Sequence, residues 1–220
     1  MTAQAQGGRF ITFEGGEGAG KSTQMRRLID RLHAQGIDCI ATREPGGTDA
    51  AEDIRALLVT GDTDRWTPLS EVLLHNAARA DHLARLIRPA LDKGQWVVSD
   101  RFADSTRAYQ GGAHGVAMDT IRALEGITVG DTRPDLTLIL DLPVEAGLAR
   151  ARAREVDANA GEDRYEGFDT AFHEALRTAF LGIAADEPER CVVIDATLSE
   201  DEVADAIWTA VSDRLLGGAA

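Results

Sequence analysis

Two hydrophobic periods alternate along the chain. Short apolar runs bounded by glycine or polar residues, Arg9 to Glu14 (RFITFE), Ile37 to Thr42 (IDCIAT), Gln95 to Asp100 (QWVVSD), Leu136 to Asp141 (LTLILD) and Cys191 to Asp195 (CVVID), predict five strands. Between and after them a 3.6-residue period predicts helices from Thr23, over DAAEDIRALLV from Asp49, from about Leu69 to Asp92, around Arg150, from about Thr170 to Ala185, and through Val203, Ala206, Ile207 and Val211. The longest has a broad face of Val72, Leu73, Ala77, Ala80, Ala84 and Ile87, expected to be buried, and Pro89 is placed to kink or break its last turn. RFADSTRAYQGG, after the third strand, reads as a turn and short helix.

Strand and helix alternate five times without internal repeats, which predicts an α/β fold. The expected architecture is a five-stranded parallel sheet with helices on both faces, right-handed crossovers and ligands at the C-terminal strand edge. A chain of 220 residues, 44% apolar, can build one domain around such a sheet. The polar run EVDANAGED has no face to pack, so residues 150–165 are expected to form a mobile lid, and residues 1–8 and 217–220 to fray.

Charge narrows the partners. Acidic residues outnumber basic ones 37 to 23, for a net −14, which disfavours nucleic-acid backbones and anionic membranes. A phosphorylated ligand therefore needs a local cluster of arginines. Cys39 and Cys191 each open an apolar run and read as buried thiols in a reducing compartment. No run approaches the ~20 apolar residues of a membrane span, and Met1 to Gly8 holds no signal-peptide core, so a cytoplasmic location is expected.

The first strand runs into GGEGAGKS, a match to G-x-x-x-x-G-K-[ST] with a helix behind it. Small residues let several backbone N–H groups approach a triphosphate while the helix N-terminus faces the anion. Gly15, Gly16, Glu17, Gly18, Ala19, Gly20, Lys21, Ser22 and Thr23 form the candidate nucleotide site, with Lys21 on the β- and γ-phosphates and Ser22 on Mg²⁺. The loop alone fits switch GTPases, ATPases and small-molecule kinases, as well as a non-catalytic ATP-binding module; the chain has no N-K-x-D, which favours ATP. Arg150 and Arg154 share a helical face and suit a lid over a transferring phosphoryl group, although a solvated basic face reads the same way. His75, Arg79 and His82 form a polar stripe on the long helix, and Arg43, Arg101, Ser105, Thr106, Tyr109 and Gln110 fall on the same sheet edge, so a second, acceptor pocket is expected there. Asp100 and Asp141 both end strands and rival each other as the carboxylate supporting Mg²⁺.

Taken together, FEGGEGAGKST, TREPGGT, EVLLHNAARADH, SDRFADSTRAYQGG and LARARARE resemble the thymidylate kinase family, in its bacterial branch with basic residues in the lid, from about Phe10 to Asp195. The resemblance implies transfer of the γ-phosphate of Mg-ATP to dTMP by a homodimer, with other P-loop nucleoside or nucleotide kinases as the nearest alternative. It places Glu17 at the sugar 3′-hydroxyl, Arg101 and Arg43 near the acceptor phosphate and Asp100 near the metal. Arg79 falls on the thymine carbonyl, Thr106 on the ring edge, and Tyr109 against the ribose 2′ position, with Ser105 and Gln110 lining the same pocket. Arg150 and Arg154 fall on lid positions, Arg154 on the transferring group, in a branch whose P-loop lacks arginine, as Ala19 does here. One departure stands out: the family's thymine-stacking Phe is His75, which is expected to stack as neutral imidazole.

Overall fold

The computed structural model describes residues 7–155, 164–165 and 167–217, except the side chains of 154 and 155. β1 (Phe10–Glu14), β2 (Cys39–Arg43), β3 (Trp96–Asp100), β4 (Leu136–Asp141) and β5 (Cys191–Asp195) form one parallel sheet in the order β2-β3-β1-β4-β5. The three inner strands are buried throughout except the carboxylates that end β3 and β4, which is why they read as continuous apolar runs. The edge strands β2 and β5 are buried only in part.

Helices α1 (Lys21–Ala34) and α9 (Glu200–Leu215) cover one face through Leu28, Leu32, Val203 and Ile207 against Ile11, Phe13 and Leu138. The other face carries α3 (Pro68–His82), α4 (Arg88–Asp92) and α8 (Thr170–Asp186), with Phe172, Leu176 and Phe180 packed on Ile139 and Tyr109. The remaining α-helices are α2 (Asp49–Val59), α5 (Ala103–Thr106), α6 (Met118–Thr128) and α7 (Val144–Glu155), and α5 runs on into a π-helical segment, Arg107–Ala113, that carries Tyr109 and Gln110. Among the described residues no helix is long and apolar enough to cross a membrane. Half of the predicted lid, residues 156–163 of 150–165, lies outside the described residues, as do most of the predicted frayed ends.

Three features depart from the sequence reading. The long helix is broken by a π-turn, Leu83–Ile87, in which the Arg88 N–H reaches Leu83 O five residues back. Pro89 lacks an N–H and its ring crowds the carbonyl four residues before it, and widening the turn ahead of it removes the conflict. The burial of α3 is mixed: Val72 and, past the helix, Ile87 are buried as expected, but Glu71, Asn76, Arg79 and His82 are buried too, while Leu73, Ala77 and Ala80, with Ala84 in the π-turn, are exposed. Partners make the burial of the polar groups possible. Arg79 Nε and His82 Nδ1 meet the two oxygens of Glu44 at 2.7 and 3.0 Å, His82 Nε2 meets Thr42 Oγ1 at 2.7 Å, and Thr128 Oγ1 donates to Asn76 Oδ1 at 2.8 Å. Finally, α6 was not predicted. It buries only Ile121 and Glu125, too few positions to register as a stripe.

Arg164 closes the far side of this helical layer. Its Nε donates to Asp62 O at 2.9 Å, Nη1 to Leu58 O at 3.2 Å, and Nη2 to Thr63 O at 2.8 Å and to the buried Glu71 carboxylate. Arg164→Ala strands the Glu71 charge in the interior, with an expected loss of about 3–5 kcal/mol. Urea unfolding of the two proteins checks this: the midpoint should fall with an unchanged m-value, and an unchanged midpoint contradicts it.

Candidate active site

The loop between β1 and α1 is shaped by backbone contact. Gly18 has φ 67°, and a Cβ there would lie 2.0 Å from Gly147 O, so only glycine lets the loop rest on the first turn of α7. No side chain caps α1, which starts at Lys21, so its first N–H groups face the loop's concave side. Lys21 Nζ donates to Gly15 O (3.2 Å) and Gly16 O (2.8 Å). Burial pushes its pKa down, the Arg101 guanidinium adds to this, and it settles at about 8. Ser22 Oγ donates to Asp100 Oδ2 at 2.8 Å. Asp141, the other strand-end carboxylate, instead receives Arg177 through both oxygens at 2.7 and 2.9 Å. Asp100, and not Asp141, therefore shares a corner with Ser22.

Arg101 follows directly, with φ 69°, the left-handed region unusual for a residue with a Cβ. Its Nη1 donates to Gly15 O (3.1 Å) and Ser105 Oγ (3.2 Å), and its Nη2 to Glu17 Oε1 (2.8 Å). Tyr109 also donates to Glu17 Oε1, at 2.5 Å. Burial pushes the Glu17 carboxyl up, but Arg101, Lys21 and the Tyr109 hydroxyl outweigh it and hold it ionised, at about 2.

Two cavities meet at these residues. One, of about 200 Å³, is lined by Lys21, Ser22, Arg43 and Asp100; the other, of about 130 Å³, by His75, Arg79, Ser105, Tyr109, Gln110 and Tyr165. Glu17, Glu44, Arg55 and Arg101 line both. In the second cavity Arg79 Nη2 donates to Phe102 O and Thr106 Oγ1, and Gln110 Nε2 to Glu71 Oε2. Because Glu71 only accepts, that last bond fixes the amide's orientation. Arg79 Nη1 and Gln110 Oε1 are then left buried without a partner, one donor and one acceptor. Burial pushes the His75 pKa down to about 3, helped by Arg79, Arg101 and Arg164, so its imidazole is neutral.

Not every expected residue reaches a cavity. Thr106 lies behind the wall, its hydroxyl taken by Arg79. Arg43 lines the first cavity while paired with Glu52 at 3.0 Å. Arg150 donates to Ala196 O at 3.3 Å, in the loop after β5, and the Arg154 side chain lies outside the described residues. Arg55, Glu44 and Tyr165 were missed. Arg55 stands four residues from each of the buried Ala51 and Val59, a cation on a buried stripe, and that was a legible signal. Tyr165 carried none, being the end of a run read as lid.

The sheet order, the glycine loop around a buried lysine and an arginine-lined second cavity at the same edge define the P-loop kinase fold. Comparison with known proteins goes further: the thymidylate kinase family model matches residues 13–207, so this chain belongs to the thymidylate kinase family. It is 58% identical over 208 residues to the thymidylate kinase of Caulobacter vibrioides, covering 94% of this chain and 98% of that one. The Bradyrhizobium diazoefficiens enzyme is 54% identical over 209 residues, covering 95% and 91%. The crystal structure of thymidylate kinase from Ehrlichia chaffeensis superposes with a TM-score of 0.75 at 32% identity, covering 94% of this chain and 99% of that one.

The depressed Lys21 pKa has a pH consequence. A triphosphate held by Lys21 would need the charged amine, which the free protein loses above about pH 8. The Kd for ATP should therefore be flat below pH 7 and rise by up to about tenfold per unit above pH 8. Titration with a fluorescent ATP analogue between pH 6 and 9.5 measures it; a constant Kd contradicts the assignment.

Proposed function

We propose that this chain transfers the γ-phosphate of ATP to dTMP, giving dTDP and ADP. One observation carries the choice of base type: Arg79 Nη1 and Gln110 Oε1 are unpartnered, on two residues that line the cavity beside the P-loop. A thymine edge offers the complement, a carbonyl for the guanidinium and the N3–H for the amide oxygen. Cytosine presents an amino donor and a ring acceptor instead, which sets donor against donor. The ionised Glu17 suits a sugar 3′-hydroxyl as acceptor, and the Tyr109 ring, fixed by its bond to Glu17, suits the sugar 2′ side, where a hydroxyl would be crowded.

The acceptor phosphate is a dianion near neutral pH, with a second pKa of about 6, so no general base is required. Its oxygen bonds to the γ-phosphorus as the bond to the β–γ bridging oxygen breaks and ADP leaves. Lys21 and Arg101 face the developing charge, and Arg43 and Arg55 line the acceptor-phosphate side. Arg150 and Arg154, on the helix that the P-loop touches at Gly147, are assigned to the equatorial oxygens, Arg154 directly. The Ser22 hydroxyl and Asp100 carboxylate are hard oxygen donors 2.8 Å apart, and among the described residues no group of three His, Cys, Asp or Glu could hold a metal. That set suits Mg²⁺, which takes its remaining ligands from phosphates and water; when bound it neutralises charge on the β- and γ-oxygens.

An acceptor panel tests the reading: dTMP, dUMP, UMP, dCMP, dAMP and thymidine, each with ATP and Mg²⁺, followed by ADP release. dTMP should be preferred and dCMP rejected by on the order of 10³-fold or more in kcat/KM, since it leaves buried groups unpaired. Preference for another acceptor would discard the base reading; ATP binding without transfer would favour a non-catalytic module. Arg154→Ala should lower kcat about 10²- to 10³-fold with little change in KM for ATP.

The same reading includes a cytoplasmic homodimer, consistent with two buried, unpaired cysteines. Its proposed interface is the exposed face of α3, where Leu69 and Leu73 are 49% and 51% exposed beside Ala77, Ala80 and Ala84, flanked by Leu57 on α2 and Ile127 on α6. Small residues in a row let a second copy of the helix approach closely. Sedimentation should give a dimer that Leu73→Glu converts to monomer; an unchanged mass in the variant contradicts this interface.

A further inference from the structure

His75 and Tyr165 meet at the wall of the second cavity, from the middle of α3 and from a position 90 residues later, with Tyr165 OH 3.1 Å from His75 Nε2. Tyr165 is held on two sides. Arg164, its chain neighbour, is tied to three carbonyls and Glu71, and the Tyr165 ring meets Tyr109 edge-on, with centroids 5.4 Å apart at 84°. A phenol gives up its proton more readily than a neutral imidazole N–H, and a bare imidazole nitrogen is the better acceptor. Tyr165 therefore donates, Nε2 accepts, and the ring hydrogen of His75 resides on Nδ1.

We propose that Tyr165 is a positioning residue for base recognition: its hydroxyl fixes His75 as a neutral, Nδ1-protonated imidazole, presenting one ring orientation to the pyrimidine of the acceptor. This deepens the dTMP reading and rests on it. The protonation states agree with the geometry, since burial pushes the His75 pKa down and the Tyr165 pKa up, so the acceptor nitrogen stays bare and the phenol keeps its proton. The need for such a residue follows from the side chain at position 75. A histidine ring has two inequivalent faces of hydrogen-bonding capacity and a broad terminal torsion, so without a partner it would present either nitrogen to the cavity. A phenylalanine at the same place would need no partner. Tyr165 should thus matter only because residue 75 is histidine.

A double-mutant cycle with Tyr165→Phe and His75→Phe tests this, with nitrogen NMR of the histidine rings as a readout independent of turnover. Tyr165→Phe keeps the ring and its contact with Tyr109. In the parent chain it should raise KM for dTMP about 3- to 10-fold, the size of one neutral hydrogen bond, with kcat changed less than twofold. In the His75→Phe background it should change KM by less than about twofold. His75 in the unliganded parent should show the Nδ1-protonated signature, and Tyr165→Phe should convert it to a mixture of tautomers. An Nε2-protonated ring in the parent, an equal KM effect in both backgrounds, or a loss confined to kcat overturns the role of Tyr165. Failure of the parent chain to phosphorylate dTMP overturns the acceptor reading instead, and the ring signature, which needs no substrate, tells the two failures apart.

Discussion

The guanidinium of Arg101 joins the phosphate loop to the acceptor cavity, and much of the surrounding structure serves to hold it. Its backbone is in the left-handed region, which for a residue with a Cβ costs on the order of 1 kcal/mol or more and needs support from neighbours. That support comes from β1. The Arg101 N–H donates to Phe13 O, and the buried Glu14 accepts from the N–H groups of Phe102 and Ser105 and from the Ser105 hydroxyl, capping α5 from another strand. The strand that launches the P-loop therefore also fixes the turn that presents Arg101 and the helix that carries Ser105.

The same economy governs charge. A chain of net charge −14 has no general attraction for phosphates, so cations must be gathered at one edge of the sheet and kept charged there. Three carboxylates near them each hold a guanidinium in place: Glu17 for Arg101, Glu44 for Arg79, Glu71 for Arg164. Buried pairs of this kind add little net stability against an apolar alternative, but removing one partner is expensive. Their effect here is directional: the Glu44 pair fixes Arg79 at the cavity wall with its Nη1 unpartnered, and the Arg164 pair fixes Glu71, which orients Gln110.

How much of this was legible depended on whether the information was local. The strands over Leu136–Asp141 and Cys191–Asp195 and the helix over Asp49–Val59 follow the periodicity residue for residue, because each is a short local pattern, an apolar run in the strands and a 3.6-residue period in the helix, bounded by polar residues. The P-loop was legible for the same reason, its requirements falling on nine consecutive residues. The orientation of α3 was not. Its apolar stripe suggested an inward face, but of that stripe α3 buries only Val72, and it buries Glu71, Asn76, Arg79 and His82 as well, a burial made tolerable by partners just after β2, in α6 and at residue 164. A stripe of His75, Arg79 and His82 looks the same in sequence whether it meets water or Glu44. The rivalry between Asp100 and Asp141 was likewise beyond spacing, and the geometry separates them through Arg177, a residue that no motif singles out.

The two halves of the site consequently differ in what sustains them. On the proposed reading, the phosphate loop that holds the nucleotide is built into one strand, one turn and one helix start. The proposed acceptor cavity takes its wall from the P-loop, the β2–α2 loop, α2, α3, the β3–α5 turn, α5 with the segment Arg107–Ala113, and Tyr165, segments up to about 150 residues apart. Arg79 is correctly aimed only while Glu44 holds it, Gln110 only while Glu71 orients it, and Glu71 only while Arg164 balances its charge. On the proposed reading, such a chain of dependence makes acceptor discrimination the property most sensitive to distant substitutions, because an error of position at any link reaches the residues assigned to the base; the cavity beside the phosphate loop meets that network at Glu17, Glu44, Arg55 and Arg101.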